Sequence, residues 1–77
     1  MNQFNAGDLL IHTSWPQWML HGPVEKWDSA VEHKSWKQVF DGDLMLVLSV
    51  DHVANRLFVL CDGQRGWIHP AGQRKVS

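Results

Sequence analysis

Cysteine occurs once, at Cys61, so no disulfide can close within the chain and the composition suits a reducing compartment. No apolar run approaches the roughly 20 residues that span a bilayer. Leu9-Leu10-Ile11, preceded by Asp8, is too short for the apolar core of a secretory signal. Basic clusters are also missing. The longest is Arg74-Lys75, and the net charge is −1 with His neutral. Phosphate backbones and anionic membranes are gripped by several clustered cations, so neither nucleic acid nor membrane is an expected partner. The histidines His12, His21, His33, His52 and His69 include no close pair such as His-x₃-His, and Cys61 has no Cys-x₂-Cys mate. No metal and no other cofactor is expected.

What the chain does have is apolar residues, 44% against 19% charged, and five tryptophans among 77 residues. That balance reads as a globular chain rather than a disordered one. The length fits one domain over residues 1–77, near the lower limit for a lone hydrophobic core. Ordering each residue costs about 1.5 kcal/mol of conformational entropy, so a core of this size leaves modest net stability.

Strand signals dominate the pattern. Residues 7–13 (GDLLIHT) read as a first strand leaving a Gly-Asp turn. Residues 44–50 alternate Leu44, Leu46, Leu48 and Val50 against Met45, Val47 and Ser49. Residues 56–61 alternate Leu57, Val59 and Cys61 against Phe58 and Leu60. Asp62-Gly63 predicts a type I′ hairpin, which needs positive φ at both central positions. A strand over residues 65–69, a turn at Pro70-Ala71-Gly72 and a short closing strand from Arg74 complete the pattern. Both middle strands are apolar on two faces, whereas a half-exposed antiparallel strand alternates cleanly. The second face of the sheet must therefore be covered, by the aromatic connection, by another copy or by another protein.

That connection spans residues 14–42 and carries Trp15, Trp18, Trp27 and Trp36. A flexible linker would be rich in Gly and Ser or in charge. A single helix over residues 28–40 is disfavoured. The clusters Trp27/Ala30/Val31 and Trp36/Val39/Phe40 lie nine residues apart, about 180° around a helix. At most a short helical turn near residues 29–33 is expected, followed by a bend and an extended stretch into Gly42-Asp43.

The segment 40–48 (FDGDLMLVL) resembles the strand after the RT loop of Src-homology-3 (SH3) domains. Residues 62–70 (DGQRGWIHP) resemble the distal hairpin, the Gly-aromatic-Ile strand and the Pro of the 3₁₀ turn, with Lys75-Val76 in the closing strand. Small bacteriophage-encoded proteins are similar in overall pattern. The resemblance covers about half the chain. It implies an all-β, five-stranded SH3-like barrel with a long Trp-rich RT-type loop, located in the bacterial host cytoplasm or in the virion. The peptide groove of the eukaryotic family is not implied. Tyrosine is absent, Arg56-Leu57 stands where that groove has its tryptophan, and Gly72-Gln73 follows in place of Asn-Tyr.

Enzymatic chemistry has little support. Asp8, Asp43, Asp51 and Asp62 all adjoin turns, where Asp ordinarily accepts backbone N–H bonds. No nucleophile motif precedes a His-Asp pair. The expected function is a non-enzymatic protein–protein interaction module, a phage structural or assembly component. The alternative is an adaptor or inhibitor of a host protein, and glycan binding is a weaker third reading. The expected partner is a protein: another copy, a virion protein or a host protein. Trp15, Trp18, Met19, Trp27 and Arg65 are the candidate contact residues. Tryptophan supplies large contact area at low entropic cost, and Arg65 could pair with an acidic partner or stack on a ring. For the loop tryptophans, packing within the loop is the competing reading. Leu44, Leu46, Leu48, Leu57, Val59 and Trp67 are the expected core.

Overall fold

The computed structural model describes residues 4–21 and 34–76. Among them there is no helix. The strands are β1 (Leu9–His12), β2 (Gln17–His21), β3 (Lys34–Val39), β4 (Leu44–Asp51), β5 (Arg56–Cys61), β6 (Gln64–Ile68) and β7 (Gln73–Lys75). They form one seven-stranded sheet in the order β3-β2-β6-β5-β4-β1-β7, antiparallel at every pairing. The sheet curls into a half-barrel.

The expected five strands become seven because both described ends of the long connection are themselves strands. β2 and β3 pair with each other, and β2 docks on β6 through Leu20 and Trp67. The extended stretch expected before Gly42 is β3. The helical turn expected near residues 29–33 lies outside the described residues.

Turn chemistry explains the local geometry. Asp62 (φ 52°) and Gly63 (φ 77°) join β5 to β6, with Cys61 opposite Gln64, as a type I′ turn requires. Two further turns are built alike. Asp8 N–H donates to the Asn5 carbonyl (3.1 Å) while the Asp8 carboxylate accepts from Asn5 N–H (2.8 Å). Asp43 N–H donates to the Phe40 carbonyl (3.0 Å) while the Asp43 carboxylate accepts from Phe40 N–H (2.9 Å). In each turn a glycine with φ near +90°, Gly7 or Gly42, supplies the conformation that L-residues avoid. Each turn then ties to the other's strand. Gly7 N–H donates to the Val47 carbonyl (2.8 Å), and Gly42 N–H donates to the His12 carbonyl (2.7 Å). The β1–β4 ladder thus has an approximate local two-fold, with one Gly-Asp-Leu turn at each end.

The core gathers Leu10, Met19, Val39, Met45, Val47, Leu57, Val59, Cys61 and Ile68. Register decides which side of β4 faces it. Leu10 lies opposite Met45, and Val47 lies opposite Val59, so Met45 and Val47 point inward. The expected assignment is reversed for Leu44 and Leu46, which are 54% and 37% exposed, and Leu48 is only half-buried. A bulge between Val47 and Ser49 then shifts the phase, so Val50 opposite Leu57 packs against the core. Leu57, Val59 and Trp67 are buried.

Trp67 does not belong to that inner cluster. It lies opposite Phe58, beside Ile68 and Gly66 and on the other face of the sheet from Leu57 and Val59. Phe58 and Trp67 are nonetheless 4% and 1% exposed, their rings tilted at 54° with centroids 5.1 Å apart. This part of the second face is covered.

Candidate interaction surface

The loop from Thr13 to Pro16 leaves β1 and is held from beneath. His12 is buried, and its Nε2 donates to the Trp15 carbonyl at 2.6 Å. Its Nδ1 lies 3.0 Å from Gln73 Oε1 on β7. The Gln73 amide nitrogen donates in turn to Gln17 Oε1 (3.0 Å) and to the His69 carbonyl (3.2 Å). Thr13 N–H and Oγ1 both bond the Gly72 carbonyl. Gly72 needs its missing Cβ here, because one would sit 2.7 Å from Ser14 Cβ and the residue has φ +84°. Buried polar groups are costly unless bonded. This network therefore specifies the loop's backbone while leaving its side chains outside.

The result is a fixed backbone with a projecting ring. Trp15 is 87% exposed. Phe40, at the head of the second Gly-Asp turn, is half exposed. With Thr13, Ser14, Pro16 and Asp41, the two rings line an open groove of about 610 Å³. Trp18 follows on β2, opposite Gln38 and half exposed. The first Trp-Pro segment thus supplies an aromatic ridge flanked by the Asp41 carboxylate.

The other candidate contact residues fall elsewhere. Met19 is fully buried and cannot contact a partner. It is the inward residue of β2 and packs over Gly66, where an added Cβ would lie 3.2 Å from Met19 Cε and 3.2 Å from the Leu20 carbonyl oxygen. Arg65 is exposed, but on the outer face of β6 opposite Leu60, away from the groove. Trp27 lies outside the described residues. Phe40 is not among the contact residues that the sequence alone suggests. Its signal is the inward Val39 before it and the Gly-Asp turn after it, which together turn the ring outward.

The turn aspartates behave as structural acceptors. Asp8, Asp43 and Asp51 each take a backbone N–H three residues away. Asp62 instead pairs with Lys37 Nζ at 3.2 Å, and that bond raises the Lys37 pKa above its ordinary value. Burial pushes the Cys61 thiol up, which disfavours the reactive thiolate. Among the described residues, no three His, Cys, Asp or Glu side chains are grouped to hold a metal ion. Among the described residues, no helix is long and apolar enough to cross a membrane. No protein-family model, curated protein or solved structure matches the chain.

Proposed function

We propose that this chain is a non-enzymatic protein–protein interaction module on an SH3-like barrel, with the Trp15/Phe40 groove and the neighbouring Trp18 as its contact surface. The order β7-β1-β4-β5-β6 supports the barrel assignment. It is a β4-β5-β6 meander extended by the paired first and last strands, with the β2–β3 pair inserted where such barrels carry their first long connection. The setting we propose is a phage virion or assembly component in the host cytoplasm or virion. The similarity of its Gly-Asp-Leu, Asp-Gly and Gly-Trp-Ile segments to small phage proteins supports that setting.

One observation carries the contact surface: the Trp15 carbonyl is anchored by a buried histidine while its indole is 87% exposed. With the backbone held, only the two side-chain torsions of the indole are left to order on binding, which suits an interface anchor. The test places a photo-crosslinking residue at Trp15 or Phe40 and, as control, at Val53, which is 99% exposed on the β4–β5 turn. Crosslinking is run in the natural host background, with light scattering on the same chain over a tenfold concentration range. The expected result is a discrete adduct from positions 15 and 40, and none from 53. A crosslinked dimer together with a doubled solution mass would make the partner a second copy. Equal, diffuse labelling from all three positions would remove the groove as a binding site.

A further inference from the structure

A second surface lies on the outer face of the sheet, away from the aromatic groove. Directly opposed residues in an antiparallel ladder share a face, so the register reads this face off row by row. Leu46 lies opposite Leu9 on one side and Leu60 on the other, and Leu60 lies opposite Arg65. In the next row Leu44 lies opposite Ile11, and Ile11 lies opposite Arg74. The face is therefore an aliphatic strip crossing β1, β4 and β5, with an arginine at each flank. Leu44 and Leu46 are exposed, and Leu9, Ile11 and Leu60 are half-buried. The one acid the register brings near these rows is Asp62, just past the end of β5 beyond Leu44, and its carboxylate is already paired with Lys37 Nζ at 3.2 Å. Arg65 and Arg74 are exposed and take no part in the ion pairs Lys37–Asp62 and Lys75–Asp8.

We propose that this face docks an amphipathic helix of a protein partner whose aliphatic stripe is flanked by carboxylates. Charge complementarity selects that occupant. An apolar centre whose uncommitted flanking charges, Arg65 and Arg74, are both positive favours an apolar stripe with negative flanks. A second copy meeting the same face would oppose arginines with no acid to answer them. Membrane attraction normally draws on clusters of four or more basic residues with aromatic anchors at the interface, and these rows hold two arginines and no aromatic ring. A helix fits better than a strand because β4 and β5 already use both backbone edges. An added strand can pair only at the outer strands β3 and β7, so an occupant here meets side chains alone. Sheet faces of this kind are closed by a helix laid across them.

The experiment uses the full chain and two fluorescent synthetic helices of about 18 residues, each with leucines at the three- and four-residue spacing of one face. One helix carries Glu on both sides of the stripe and its twin carries Lys. Anisotropy should show saturable binding of the Glu helix, with the Lys twin weaker by about tenfold or more. Leu44→Ser with Leu46→Ser should abolish the binding, while Val53→Ser leaves it unchanged. Arg65→Glu with Arg74→Glu should reverse the preference toward the Lys helix, an outcome that misfolding cannot mimic. Equal binding of both helices, or binding of neither, overturns the proposal. So does a concentration-dependent dimer removed by Leu44→Ser, or salt-sensitive transfer to phosphatidylserine vesicles in preference to the Glu helix. None of these outcomes depends on Trp15 or Phe40, so this surface and the aromatic groove stand or fall separately.

Discussion

Two corners of one sheet face behave in opposite ways. At the β5–β6 corner, Phe58 and Trp67 stand on the outer side of the sheet, yet both are buried. At the β1–β4 corner, Leu44 and Leu46 stand on the same outer side and remain exposed. Residue type does not separate them, since all four are large and apolar. Neighbours do: Trp67 has the Phe58 ring at 5.1 Å and Leu20 of β2 opposite it, whereas Leu44 and Leu46 have only the smaller side chains of Ile11, Leu9 and Leu60 beside them. The sealed corner belongs to folding, and the open corner is the one proposed above as a docking face.

The largest effect should come from breaking the sealed corner. Trp67→Ala should cost about 3–5 kcal/mol, as burial and ring contact are lost together, and a urea titration should find the variant largely unfolded. A smaller effect of opposite sign tests the same corner. The Ser49 hydroxyl, opposite Phe58, is buried without a hydrogen-bond partner among the described residues. Ser49→Ala should therefore stabilise the fold by about 0.5–1 kcal/mol, and a lower urea midpoint would show that the hydroxyl is satisfied in solution. At the open corner, Leu44→Ser or Leu46→Ser should move stability by no more than about 0.5 kcal/mol. A loss comparable with that of Trp67→Ala would erase the distinction between the corners.

The smallest effect should come from charge. Lys37→Met removes the bond to Asp62, whose side chain is 77% exposed. It should cost about 0–0.5 kcal/mol after solvent screening. Because the folded Lys37 pKa is raised, its contribution is complete below the ordinary value of 10.5 and is lost as pH rises through the folded value. Thermal melts of the wild type and Lys37→Met should differ by a constant amount through neutral pH and converge only in strong base.

Much of the strand pattern was legible in the sequence, because turns and alternation are local signals. β4, β5, β6 and the Asp62-Gly63 hairpin follow from period-two runs bounded by turn residues. β2 and β3 were not legible as a pair. Their partners are separated by the connection itself, and a bulge between Met19 and Leu20 breaks the alternation that would have marked them. The inward face of β4 is hidden for a related reason. Alternation shows which residues share a side but not which side is inward, and both sides here are apolar. Only the pairing of Met45 with Leu10 and of Val47 with Val59 decides it. The bulge at Leu48 then puts Val50 inward although it shares parity with Leu44. At the candidate surface, Trp15 and Trp18 were visible by composition. The buried His12–Gln73–Gln17 network was not, since residues 61 and 56 positions apart carry no spacing signature.

The placement of β1 between β4 and β7 also sets an order of events during synthesis. The β4–β5 and β5–β6 ladders close over short turns, whereas β1 must find residues 44–46 and then residues 73–75. Contacts of long sequence separation carry the larger loop-closure cost and form late. A nascent chain that has not yet released residues 73–75 therefore holds β1 with one open backbone edge, the kind of edge that recruits foreign strands. Pulse-labelled hydrogen exchange should find β5 and β6 amides protected before the β1 amides that face β7. Simultaneous protection would mean that the sheet closes as a single event.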